Sequence, residues 1–150
     1  MISFPDTSFL CALYRGQDNT DLAIAYGNKM REPLHVSSLV LYEFRQSIRF
    51  QEYLHEKDKR KGFSRANGQI ALANLQRNIV GGMVVIVPPD WAEVYTLAEQ
   101  LSAIHTSSGG HRSFDILHVA TALHLGAKEL LTFDANQRKL AEEVGLKAPL

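Results

Sequence analysis

Met83-Val84-Val85-Ile86-Val87 is an uninterrupted apolar run, mostly β-branched, closed by Gly81-Gly82 on one side and Pro88-Pro89 on the other. A run this short and this apolar reads as a strand buried on both faces. It stands between two stretches of helical periodicity, so it cannot pair with a hairpin neighbour. Strands reached through helices are joined by crossovers, which implies mainly parallel pairing and, with it, an α/β architecture.

The rest of the chain supplies those partners. Ile2 to Phe4 is a short apolar run that Pro5-Asp6 should end, because proline has no ladder donor. His35-Val36-Ser37 is a second candidate strand and Glu129 to Phe133 a fourth. Helical patterns separate them: Thr7 to Tyr14, Thr20 to Lys29, Leu39 to Leu54, and Ser64 to Ile79. After Asp90, with Glu93 at capping-box spacing, Val94, Leu97, Leu101 and Ile104 form an apolar stripe. Thr106 to Gly110 reads as a polar loop, Ser113 opens the next helix, and Asn136 to Val144 is the last, closed by Gly145. Strands alternating with helices predict an α/β domain spanning residues 1–150, with a mainly parallel central sheet flanked by helices and right-handed crossovers.

The size suits that fold. At 150 residues and 45% apolar composition, such a chain buries about 68–70% of its unfolded surface and needs no staple. No apolar stretch is long enough for a membrane span. The opening MISFPDTSF has neither a basic start nor an apolar core, so no secretory leader is expected. The lone Cys11 sits in an apolar run and is expected to be a buried, inert thiol in a reducing compartment.

Charge is balanced overall, 16 basic against 16 acidic residues, but not evenly placed. Residues 45–77 carry 8 basic and 3 acidic side chains, a local net of +5. Lys57, Lys59, Arg60, Lys61 and Arg65 concentrate it at the turn between two helices. Such a cluster is either a solvated hairpin tip or a contact for a polyanion.

Four acids stand in apolar places. Asp6 and Asp134 follow strands, at the carboxyl edge of a parallel sheet, where ligands bind. Each is also well placed as a helix N-cap, and Asp134 has Gln137 at capping-box distance. Glu43 interrupts Leu39-Val40-Leu41-Tyr42-Glu43-Phe44, where a carboxylate is costly to bury without compensation. Asp115 lies in the first turn of its helix, a position the helix dipole favours. If all four converge, their mutual repulsion calls for a divalent cation, and oxygen ligands suit Mg²⁺ or Mn²⁺.

Asp6-Thr7-Ser8, Leu41-Tyr42-Glu43-Phe44-Arg45, Ser113-Phe114-Asp115-Ile116-Leu117-His118-Val119-Ala120-Thr121-Ala122 and Leu131-Thr132-Phe133-Asp134 occur in that order, with Leu140-Ala141 and Gly145-Leu146 behind them. This ordered set, spanning essentially the whole chain, resembles the PIN-domain ribonucleases, most closely the VapC-type toxins of bacterial toxin–antitoxin pairs. The resemblance implies a PIN-like three-layer fold and Mg²⁺- or Mn²⁺-dependent cleavage of RNA by a cytoplasmic enzyme. It carries the family's acids onto Asp6, Glu43, Asp115 and Asp134, and a supporting hydroxyl onto Thr7, Ser8 or Thr132. It also implies a homodimer and a small antitoxin that docks across the N-terminal helices and presents a basic residue to the acids. Phe9, Leu13, Tyr14 and Tyr26 are candidates for those interfaces. Pro5, before the first acid, and the long basic tip depart from the family pattern.

Within that expectation Arg112 and the five tip cations are candidate RNA contacts, and His118, three residues after Asp115, is either a packed or surface histidine, or a contact for RNA or a support for the acids. Two other readings stay open: a PIN-type module that binds RNA or protein without cutting, and a Mg²⁺-dependent phosphoryl-transfer domain. The second wants a lysine at a late strand end, whereas Lys128 precedes its strand.

Overall fold

The computed structural model describes residues 2–150. Four three-residue strands, β1 (Ser3–Pro5), β2 (Leu34–Val36), β3 (Val84–Ile86) and β4 (Glu129–Leu131), are connected through seven helices. These are α1 (Thr7–Arg15), α2 (Thr20–Lys29), α3 (Ser38–Lys57), α4 (Arg65–Val80), α5 (Trp91–Gly109), α6 (Ser113–His124) and α7 (Ala135–Glu143). Pairing is parallel throughout: β1 with β4, Phe4 opposite Leu130, and β2 with β3, His35 opposite Val85.

Pro5 does not end β1; it belongs to it, opposite Leu131. Successive residues of a strand address opposite neighbours, and here the carbonyl of Ile2 and the N–H of Asp6 both bond toward β4. Pro5 therefore turns its donorless nitrogen toward β2. The expected single sheet is accordingly two two-stranded ladders, with β1 and β2 in contact but without a ladder between them. Proline is tolerated where no donor is required of it.

The helices form two groups. α1 packs with α2, α3 and α4, while α5, α6 and α7 pack among themselves; α1 rests on β1, α4 on β3 and α6 on β4. Phe4, Phe9, Phe44, Ile48, Leu130 and Leu140 are fully enclosed between these layers.

Three further expectations need correction. The run 83–87 is not buried on both faces: only Val84 is enclosed, while Met83 and Ile86 are 65% and 48% exposed. β3 is an edge strand, and its apolar sequence reflects a surface left open. Residues 106–109 do not form a loop; α5 continues to Gly109 and stops at Gly110, whose left-handed φ of 66° turns the chain. A side chain at Gly109 would collide with the ring of buried His111, so the glycine pair serves packing as well as the turn. Finally, Phe9 is core rather than interface, and Leu13, Tyr14 and Tyr26 are packed against that core. Tyr14 packs its ring against that of Phe44 at a tilt of 60°, and its hydroxyl accepts from Asn78 Nδ2 at 2.7 Å. The exposed apolar side chains of α2 are instead Leu22 and Ile24.

Candidate active site

Asp6, at the end of β1, is 2% exposed. Its Oδ1 accepts from the Phe9 N–H at 3.0 Å, so the N-cap role is real. The same oxygen accepts from Ser8 Oγ, and Oδ2 accepts from Thr132 Oγ1, both at 2.6 Å. Burial pushes the carboxyl above its ordinary range, and these hydrogen bonds pull against that rise without cancelling it. Thr132 Oγ1 in turn accepts from the Asp134 N–H at 3.0 Å, and Ser8 Oγ from the Phe133 N–H at 2.8 Å. Two hydroxyls thus tie the ends of β1 and β4 together around one carboxylate.

Asp134 caps α7, with Oδ1 accepting from Asn136 and Gln137 N–H at 2.8 and 2.9 Å. Gln137 does not close the capping box; its side-chain amide reaches across to the Asp115 carbonyl at 3.3 Å. Asp134 Oδ2 points elsewhere, 3.9 Å from Arg112 Nη2, and Asp115 Oδ2 accepts from Arg112 Nε at 3.2 Å. Arg112 is therefore a cation laid across two acids from different elements, and those acids raise its already high pKa.

Glu43 is reached from α3. Burial raises its carboxyl, but the hydrogen bonds of His118 and Thr7 and the charges of His118 and Arg112 outweigh burial, leaving it below the usual range. His118 Nε2 lies 3.0 Å from Glu43 Oε2 and 3.4 Å from Thr7 Oγ1. A carboxylate only accepts, so Nε2 carries the proton. His118 is 1% exposed and its Nδ1 is enclosed without a partner among the described residues. The histidine is thus both packed and engaged.

All four acids line one open cleft of about 400 Å³, together with Thr7, Ser8, Arg112 and His118. Cys11 also borders it; the thiol is buried but lies 3.3 Å from Ser47 Oγ. Among the described residues no three His, Cys, Asp or Glu side chains stand close enough together to cage an ion as they are. The hydrogen bonds give the reason. Asp115 is turned to Arg112, one oxygen of Asp134 caps α7, and both oxygens of Asp6 hold hydroxyls. The donor set still fits a hard divalent cation, being all oxygen and negatively charged. Arg112, whose side chain is 80% exposed, is the group such an ion would displace.

The basic residues are elsewhere. Lys57, Lys59, Arg60, Lys61 and Arg65 occupy the α3–α4 turn, about 21 Å along α3 from Glu43. Two are paired locally: Arg60 grips both oxygens of Asp58 at 3.0 Å, and Lys59 meets Glu56 at 3.3 Å. Both pairs are exposed, so they compete weakly with an incoming phosphate.

The PIN-domain family model matches residues 3–143. No curated protein sequence matches the chain. Among solved structures, FitAcB from Neisseria gonorrhoeae superposes with a TM-score of 0.67 at 15% identity, covering 98% of this chain and 96% of that one. VapBC2 from Rickettsia felis, bound to a DNA fragment from its promoter, gives 0.64 at 16% identity, covering 99% and 97%. VapC20 of Mycobacterium tuberculosis, a toxin cleaving the sarcin–ricin loop, gives 0.62 at 19% identity, covering 91% and 93%. At these identities the likeness is one of fold.

Proposed function

Because the chain belongs to the PIN-domain family, we propose that it is a divalent-metal-dependent endoribonuclease, the VapC-type toxin of a toxin–antitoxin pair. The observation that carries this reading is the cleft itself: four carboxylates from four elements, with a guanidinium already laid across two of them. Asp6, Glu43, Asp115 and Asp134 would hold Mg²⁺ or Mn²⁺, which when bound activates water and neutralises the scissile phosphate. Ser8 and Thr132 fix Asp6, while His118 and Thr7 orient Glu43. Arg112, displaced from the acids, is within reach of the same cleft to bind phosphate. Family membership and the retention of all four acids favour this reading over a silent PIN module.

The antitoxin partner is proposed on the groove of about 390 Å³ between α1, α2 and the β3 edge, lined by Leu13, Tyr14, Ile24 and Met83. A homodimer and a cytoplasmic location complete the proposal; no helix among the described residues is long and apolar enough to cross a membrane. The test is cleavage of RNA by purified protein with Mn²⁺ and with EDTA. Metal-dependent internal cleavage that disappears in Asp115→Asn is expected. RNA left intact by the wild type with Mn²⁺ would overturn the reading. Light scattering at tens of micromolar, expected to show a dimer, checks the assembly separately.

A further inference from the structure

Two of the three exposed aromatic side chains of α3, Phe50 and Tyr53, lie together, while the third, Tyr42, stands at the start of the helix. From Glu43 in the cleft, Gln46, Phe50, Tyr53 and Lys57 follow at steps of three and four residues. They therefore form one ridge along one face of the helix. The ridge runs about 21 Å from the acids to the cationic turn. Phe50 and Tyr53 are 51% and 54% exposed, yet their rings are held against each other, 6.0 Å apart and inclined by 26°. Lys57 Nζ lies 5.6 Å from the centre of the Tyr53 ring. Arg49, one turn before Tyr53, is exposed and has no ion-pair partner among the described residues, and the same holds for Lys61 at the turn.

The turn that ends the ridge is rigidly built. Gly62 has a left-handed φ of 57°, and a side chain there would collide with the Gln51 carbonyl. His55 Nδ1 lies 3.0 Å from the Lys61 carbonyl oxygen, tying the turn back to α3. The cations are thereby carried at a fixed distance from the cleft.

We propose that this ridge is a single-stranded RNA track, in which Phe50 and Tyr53 stack a nucleobase of the strand leaving the cleft while Lys57 and Lys61 take its phosphates. The proposal rests on the ribonuclease reading for the identity of the strand. Its chemistry is separate: exposed rings between a catalytic cleft and unpaired cations match how single strands are bound without sequence readout. The charge of the segment favours this occupant over a protein. Residues 45–77 carry a net +5, whereas the exposed apolar residues near the α2–β3 groove, Leu22, Ile24, Val80 and Met83, are aliphatic or thioether. That groove suits a polypeptide, and the ridge suits a polyanion with flat bases.

The test measures affinity of the full chain for a short fluorescent single-stranded RNA in EDTA, with heparin as a polyanion that has no bases. In Phe50→Ala/Tyr53→Ala, RNA affinity should fall by about 5- to 100-fold and heparin affinity should hold. Phe50→Trp should retain RNA affinity, because the flat ring is kept. Lys57→Gln and Lys61→Gln should each lower the salt slope of RNA binding by about 0.7. Unchanged RNA affinity in the double variant overturns the track, as does an equal loss for RNA and heparin. Loss of self-association with RNA affinity intact also overturns it, since the ridge would then be a protein interface. The ribonuclease reading fails independently: wild type that does not cut RNA with Mn²⁺, yet binds it through Phe50 and Tyr53, sinks the nuclease and leaves the track standing.

Discussion

The β1–β4 ladder buries one carboxylate at each end, and the two ends are treated differently. At the carboxyl edge Asp6 accepts from the hydroxyls of Ser8 and Thr132; at the amino edge Glu129, opposite Ser3, accepts from the hydroxyls of Ser3 and Tyr26, both at 2.8 Å. Locally the solutions are alike: a buried acid accepting from two hydroxyls, joined at Asp6 by the Phe9 N–H. The surroundings are not. Around Asp6 stand Glu43, Asp115 and Asp134, with Arg112 across two of them. The cavity at Glu129 contains Lys29 and Arg31, which offset the acids there, Glu129 and Glu32. At that edge the cost shows in the donor: burial, together with the Glu129 carboxylate, pushes the Tyr26 phenol up to about 12. A buried acid with its hydroxyls is therefore structural by default. What marks a site is an excess of acids that hydroxyls cannot neutralise.

The sharpest way to break that contrast is to remove one acid from each end. Asp115→Asn should lower metal-dependent RNA cleavage by at least about 100-fold while leaving the melting temperature within a few degrees, since no structural hydrogen bond of its carboxylate is lost apart from that to Arg112. Glu129→Ala should leave cleavage near the wild-type rate and instead lose about 1–3 kcal/mol of stability, because the buried Ser3 hydroxyl and the half-buried Tyr26 hydroxyl lose their acceptor. Cleavage assays beside thermal melts decide it. If Glu129→Ala abolishes cleavage with the fold intact, the two ends are not functionally distinct.

Metal should act on one end only. Mn²⁺ at about 100 times its Kd should stabilise the wild type by about 2.7 kcal/mol through mass action. Asp115→Asn should lose most of that gain, and Glu129→Gln none of it. Equal stabilisation of both variants would place the ion away from the cleft.

A finer test uses pH without metal. Asp6 is raised from 3.8, so the stability its neutral form confers is lost as pH rises through its folded pKa. Glu43 is lowered from 4.5, so its contribution is present above 4.5 and lost as pH falls through its folded pKa. In EDTA, the melting temperature of Asp6→Asn should gain on the wild type as pH rises from acid to neutral, while Glu43→Gln should fall behind over the same range. Parallel curves would show that the two acids share one environment.

The smallest effect concerns Arg112. Its pairs are exposed and worth at most about 1 kcal/mol. Arg112→Gln should therefore tighten Mn²⁺ binding by no more than about 5-fold, as a competing cation is removed. Titration calorimetry showing weaker metal binding would mean that the guanidinium organises the acids rather than competing with an ion.

Much of this molecule was legible in the chain. Element order, parallel pairing and the placing of Asp6 and Asp134 after strands follow from short apolar runs alternating with helical periodicity, because side-chain period and proline and glycine breaks are local properties. The family resemblance of the acidic motifs is equally a matter of order along the sequence. The misreadings arose where a local signal has two outcomes. An apolar run is the same whether a strand is enclosed or left at an edge, as β3 is, and serine and threonine near a helix end may close a loop or bond back to the helix, as Ser108 does to the His105 carbonyl.

Only the tertiary structure decided which side chains meet. His118 reaches Glu43 across 75 positions, Tyr26 reaches Glu129 across 103, and Thr132 reaches Asp6 across 126. Nothing in the neighbourhood of any of these residues specifies its partner, because a hydrogen bond depends on where two backbones arrive rather than on what flanks them. The chain determined that acids would stand at the ends of its strands. The packing of the helices on those strands determined which end gathered four and which kept a buried acid with its hydroxyls and neighbouring cations.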